Sequence, residues 1–242
     1  MPTLLGTIVD KSVVCVDWDA RTLRLVLASV GKRSTKVTQV LGVPIPSDVR
    51  LDEAESVGKF LREVLDKAGI RAKRAATDVA RDQVNLYTLN LPKCSASDMA
   101  AMVAYRIPKE LSYPVDQAAV DFTMPSVEGQ DETNDVLVAA IRKETLAFKV
   151  EVFEHAGLKL YRVGLRPNAN QFAVNTLLRT TPTDRVLFID VGPTITEIDV
   201  IHAGRMAFSR AAAVAMPSSL GEIPTGPAEG EAAGSLDLKL AS

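Results

Sequence analysis

Two aspartates each close a β-branched, aliphatic run: Asp17 follows Val13-Val14-Cys15-Val16 and Asp190 follows Val186-Leu187-Phe188-Ile189. After each comes a short turn and a second β-prone run with polar residues interleaved, Thr22-Leu23-Arg24-Leu25-Val26 in one case and Thr196-Glu197-Ile198-Asp199 in the other. The pattern is a hairpin written twice, once near each end of the chain. A carboxylate at the lip of a buried strand has two readings, a turn former or a group that organises a cation or a phosphate, and the sequence leaves both open. Other reactive side chains are scarce. His155 falls in the last turn of an expected helix, where an imidazolium complements the helix dipole, and His202 precedes Ala203-Gly204 as a strand end. Cys15 and Cys94 are too few for a metal cluster and sit beside or within apolar runs, so they read as reduced core thiols. No Ser/His/Asp or Cys/His grouping has a recognisable local spacing.

The elements that must hold the two aspartates belong to an ordinary globular chain. Its 242 residues, 47% hydrophobic and 24% charged, suffice for one or two domains with a well-buried core. Aromatics make up only 5%, so that core is built from Val, Leu, Ile and Ala. A net charge of −2, with no Lys/Arg run interleaved with aromatics, excludes the usual nucleic-acid-binding composition. No apolar stretch is long enough to span a bilayer, and the N-terminus lacks a basic region followed by an apolar one. Any membrane link is therefore expected through a partner and not by direct insertion.

Along the chain, the first hairpin continues into a strand over 35–41, and a helix follows with Asp52 as N-cap, Glu55 three residues on and Gly69 past its end. Strands are expected over 75–80 and 84–91. Ser95 with Asp98 then caps a helix carrying Met99, Met102, Val103 and Ile107, which Pro108 ends. A strand over 118–124, a solvated loop over 125–135, a strand over 136–141, a helix over 144–156 closed by Gly157 and a strand over 158–165 complete an inserted subdomain at about 93–165. Pro167 opens one more helix through 178, after which three strands span 185–210. The Pro/Gly/Ala-rich stretch that follows cannot bury a core and reads as disorder, although the alternating Leu236-Asp237-Leu238-Lys239-Leu240 has the period of a strand that could add to an open sheet edge.

The order of elements, with Ile107-Pro108-Lys109-Glu110-Leu111-Ser112-Tyr113-Pro114-Val115-Asp116, Val136-Leu137-Val138-Ala139-Ala140 and Glu154-His155-Ala156-Gly157-Leu158, resembles the type IV pilus assembly protein PilM family. That family is similar to the cell-division protein FtsA and to the cytoplasmic part of the type II secretion protein GspL. The resemblance implies an α/β, actin-like (ribonuclease-H-like) fold with an inserted small α/β subdomain. Actin-like domain I with its insertion would fill 1–181, the start of an incomplete second actin-like domain 182–212, and a disordered tail 213–242.

In actin-like proteins the two hairpins grip the phosphates of a nucleotide, so the resemblance implies ATP and Mg as cofactors. Asp17, Arg21, Thr22, Asp190, Gly192 and Thr194 would be the nucleotide-binding residues, and Asp17 the metal-binding one. The second turn keeps the Asp-x-Gly spacing, but Asp19 stands in the first turn where glycine is expected. A carboxylate a few ångströms from a phosphate oxygen costs of order 1–4 kcal/mol, so nucleotide binding is expected to be weak or absent. Two function classes follow. One is a non-catalytic cytoplasmic scaffold, peripheral to the inner membrane, that binds the tail of a PilN-like inner-membrane protein in a groove beside the insertion; Met99, Met102, Tyr105, Arg106 and Lys109 are the expected contacts. The other is a nucleotide-dependent ATPase or sugar-kinase-type enzyme. Self-association is the remaining interaction expected.

Overall fold

The computed structural model describes residues 12–31, 34–123, 133–178, 181, 183–214 and 237–239. Strands β1 (Ser12–Trp18), β2 (Thr22–Val30) and β3 (Ser34–Pro44) form an antiparallel meander. Val14, Val16, Leu23 and Leu25 are at most 2% exposed, the alternation of strands with one face in a core. Cys15 points to the opposite face of β1 and is exposed, which corrects its expected place as a core thiol. Helix α1 (Ala54–Lys67) leads from β3 to β4 (Arg74–Val79), which pairs parallel with β1. Its N-cap is Glu53, without a side-chain cap bond; the expected cap, Asp52, lies in the preceding turn. The C-terminus follows the sequence signal, with Gly69 N donating to Asp66 O and Ile70 N to Leu65 O.

The next strand, β5 (Val84–Pro92), leaves this sheet. Only the short link 80–83 separates it from β4, whereas a parallel neighbour requires a crossover of about a dozen residues or more. The crossover comes later in the chain, through helix α3 (Lys143–His155), and it delivers β8 (Lys159–Leu165) parallel to β4. At the other edge, β12 (Asp237–Lys239) pairs antiparallel with β3, giving the order β12-β3-β2-β1-β4-β8. Helices α1 and α3 share one core with this sheet through Leu61, Leu65, Val152 and Phe153, all at most 2% exposed. Their backbones meet at Gly58, where an added Cβ would lie 2.4 Å from His155 Cβ and 2.6 Å from Val152 O. No larger residue fits there without moving one helix.

β5 pairs instead with β7 (Thr133–Arg142), which also pairs with β6 (Ala118–Phe122), so a separate antiparallel sheet has the order β5-β7-β6. Helix α2 (Ala96–Arg106) covers one face of it. Ser95 Oγ accepts from Asp98 N at the helix start, as the spacing predicts, and Met99, Val103 and Ile107 pack on Leu89, Leu91, Val136 and Val138. By strand pairing, β5 belongs to the separate sheet, while β8 belongs to the first sheet and α3 packs on it.

Helix α4 (Arg166–Leu178) then leads to β9 (Arg185–Val191), β10 (Thr196–His202) and β11 (Arg205–Ala212), a third sheet in the order β11-β10-β9. The expected loop 125–135 lies mostly outside the described residues, and 133–135 are already in β7. Of the expected tail 213–242, Ala213, Val214 and β12 are described and the rest lies outside. Among the described residues no helix is long and apolar enough to cross a membrane.

Candidate functional site

The two hairpin turns face one cleft of about 620 Å³, and Asp17, Arg21, Thr22, Asp190, Gly192 and Thr194 all line it. Tertiary structure therefore brings together every cofactor residue singled out from sequence. In the second turn Gly192 N donates to Ile195 O at 2.9 Å. An added Cβ at Gly192 would come within 2.8 Å of that same oxygen, so the tightness of the turn requires glycine.

The first turn is differently built. Asp19 Oδ1 accepts from the backbone amides of Arg21 at 2.7 Å and Thr22 at 2.9 Å. Both amides are thereby bonded within the turn itself. Burial alone would raise the Asp19 carboxyl, but the Arg21 amide, the Arg24 guanidinium and the Thr22 amide outweigh it and hold its pKa below the usual range. Arg24 also donates from Nη1 to Asp17 Oδ2 at 2.8 Å, and its Nη2 bonds Asp19.

Asp17 meets a second guanidinium that the sequence reading did not single out. Arg166, the first residue of α4, donates from Nη2 to Asp17 Oδ1 at 2.6 Å, from Nε to Asp78 Oδ2 at 2.9 Å and from Nη1 to Glu197 Oε1 at 3.3 Å. Burial by itself would lower the Arg166 pKa, yet the Asp78 and Asp17 charges raise it well above its ordinary value. Asp17 is pushed up by burial and by repulsion from Asp78, against the pull of Arg166 and Arg24. Glu197, 1% exposed, is also raised by burial, opposed first by the Arg81 amide and then by Arg166. Asp78 Oδ1 and Glu197 Oε2 have no hydrogen-bond partner among the described residues.

Lys149 of α3 completes the missed set: it is 8% exposed, and its Nζ sits 3.6 Å from the centroid of the Trp18 ring. Burial lowers its pKa to about 8, with Asp78 and Asp17 pulling the other way. The available signal was a carboxylate inside an apolar strand run, Asp78 in β4 and the pair Glu197 and Asp199 on one face of β10. Such a residue requires a buried cationic partner.

The implied ATP and Mg do not fit this arrangement. Two guanidiniums already engage the Asp17 carboxylate, the amides of the first turn are bonded to Asp19, and no group of three or more metal-ligating side chains forms among the described residues.

A second concavity, of about 470 Å³, lies between the β5-β7-β6 sheet and the first sheet. Its floor is Leu137, Ala139 and Ile141 of β7 with Leu146 of α3, and its sides are β6 and β8. Both side strands are terminal in their sheets. The residues expected to contact a partner lie elsewhere. Met99 is 1% exposed in the core under α2, Met102 packs partly against it, and the 71% exposed Tyr105 lies under Lys109 Nζ at 5.0 Å. Arg106 and Lys109 are exposed. None of the five lines the groove. Side chains alternate along β7, so Val136 and Val138 face α2 whereas Leu137 and Ala139 face the groove.

Comparison with known proteins agrees with this architecture. A sequence model of the type IV pilus assembly protein PilM matches residues 15–215. The solved PilM-PilN type IV pilus biogenesis complex superposes with a TM-score of 0.75 at 22% identity, over 86% of this chain and 62% of that one. The cytoplasmic domain of EpsL, an inner-membrane component of the type II secretion system of Vibrio cholerae, superposes with a TM-score of 0.53 at 11% identity, over 84% and 71%. This chain thus spans less than two thirds of the PilM chain it matches. The fold is actin-like, with two hairpins facing one cleft and a sheet inserted after β4, and the chain belongs to the type IV pilus assembly protein PilM family.

Proposed function

We propose that this protein is a non-catalytic scaffold of type IV pilus assembly that holds an extended cytoplasmic tail of a PilN-like inner-membrane protein in the groove between β6 and β8. The observation that carries the reading is the pair of terminal strands facing one apolar floor. A terminal strand presents unpaired backbone donors and acceptors, to which an extended peptide adds as a further strand. Alternate side chains of the peptide then enter the space above Leu137, Ala139 and Ile141. The match to the PilM-PilN complex supports the choice of partner, and the lack of fit between the cleft and Mg-ATP supports scaffold over ATPase. The protein would sit on the cytoplasmic face of the inner membrane through that tail.

Binding of a fluorescent tail peptide by two variants tests the reading. Ala139→Glu places a charge on the groove floor and should weaken binding at least tenfold. Arg106→Glu with Lys109→Glu, on the far side of the same sheet, should leave it within about twofold. The reverse pattern, with both variants folded, would move the binding surface to α2.

A further inference from the structure

Three carboxylates on three strands, Asp17 of β1, Asp78 of β4 and Glu197 of β10, converge on one side chain, Arg166. Two of those strands belong to the first sheet and the third to the β11-β10-β9 sheet, so the guanidinium ties the two sheets together. A few residues away the Asp19 carboxylate fills the amides of Arg21 and Thr22. A cation in this cleft would need the carboxylate oxygens, and an anionic ligand would need the amides. Arg166 takes one oxygen of each of the three carboxylates and places a positive charge among them, leaving Asp78 Oδ1 and Glu197 Oε2 buried without a partner, and Asp19 takes the amides.

We propose that Arg166 and Asp19 are a built-in substitute for a metal-bound anionic ligand, Arg166 in the place of the cation and Asp19 in that of the anion, and that they hold the first and third sheets in one orientation without any ligand. The burial of the partners supports this. Glu197 Oε1 accepts from Arg166 and from the Arg81 amide, and its side chain is 2% exposed, so it cannot turn to water for a counter-charge. The geometry also distinguishes Arg166 from a surface ion pair: its three nitrogens reach three acceptors on three elements from one rigid plane, whereas a lysine would have to gather all three acceptors around a single nitrogen. A second tie remains when Arg166 is removed. Arg81 donates from Nε and Nη2 to Ser209 O and from Nη1 to Val84 O, so the third sheet stays attached.

The test uses Mn²⁺ as the probe cation, followed by electron paramagnetic resonance, together with thermal unfolding. Wild-type protein should bind no Mn²⁺ up to millimolar concentration and show no Tm change. Arg166→Ala should lower Tm by about 10 °C, as loss of one partner from a buried ionic cluster does, and Mn²⁺ should restore part of that loss. Arg166→Lys should recover part of the Tm without responding to Mn²⁺. Adding Asp19→Gly to Arg166→Ala should let Mn²⁺-pyrophosphate raise Tm beyond Mn²⁺ alone. Micromolar Mn²⁺ binding by the wild type would overturn the proposal, as would an unchanged Tm in Arg166→Ala or a loss that Mn²⁺ does not reverse. If Arg166→Ala does not fold, the wild-type titration and Arg166→Lys still decide: a lysine variant as stable as wild type would show that the three-way fork is not needed.

Discussion

Lys149 shows how residue-scale terms oppose each other in this cleft. Its ammonium is buried beside the Trp18 ring, and its pKa falls to about 8 because desolvation outweighs attraction to Asp78 and Asp17. The cation–π contact returns up to about 2 kcal/mol to the charged form. A lysine whose folded pKa lies below its unfolded value binds fewer protons when folded. Stability then rises with pH between about 8 and the unfolded value of 10.5, and the penalty is present below that window. Lys149→Met removes the titration but keeps the volume. Relative to that variant, the wild type should gain roughly 1–3 kcal/mol between pH 7 and 10.5, measured by urea unfolding at each pH. A pH-independent difference would mean that Lys149 is solvated.

At the scale of elements, the junction of α1 with α3 fixes where α3 delivers β8, and that delivery makes β8 the free side of the groove. Gly58 permits it. In a solvent-exposed helix, replacing glycine by alanine stabilises by about 1 kcal/mol, so the sign of Gly58→Ala is diagnostic. With His155 Cβ at 2.4 Å and Val152 O at 2.6 Å from the added methyl, the helices must separate. We expect destabilisation of about 1–3 kcal/mol by chemical denaturation, the usual cost of overpacking. A stabilised variant would contradict the close approach. The capped start of α2 is legible from Ser95 and Asp98 because capping is local, whereas α1 starts one residue later than its best cap by type, Asp52, with Glu53 at the N-cap and no side-chain cap bond.

For the whole molecule, the consequence is an actin-like framework whose two hairpins face one cleft and are joined through Arg166, which pairs with Asp17 of β1 and Glu197 of β10. Isothermal calorimetry with Mg-ATP should give no micromolar dissociation constant, which would correspond to about −8 kcal/mol. Asp19→Gly should strengthen whatever binding remains, since it frees the Arg21 and Thr22 amides. Micromolar binding by the wild type would show that the cleft rearranges to admit the nucleotide. Weakened binding in Asp19→Gly would make Asp19 a ligand of the bound metal.

Sequence alone determined the repeated hairpin, its two turns, the Asp19 departure and most strands and helices, because each rests on local period, capping or turn chemistry within about a dozen residues. It also determined that Asp17 and Asp190 belong to equivalent positions, and the cleft contains both. Only tertiary structure decided what neutralises Asp17. Asp17, Asp78, Arg166 and Glu197 lie on four elements, and no periodicity in one strand or helix encodes which distant charge it will meet. The same holds for the sheet assignments of β5 and β8 and for the face of β7 that lines the groove. Adjacent strands in sequence cannot pair in parallel without a crossover, so β4 had to wait for β8, and the α2 side chains were left on the face away from the groove.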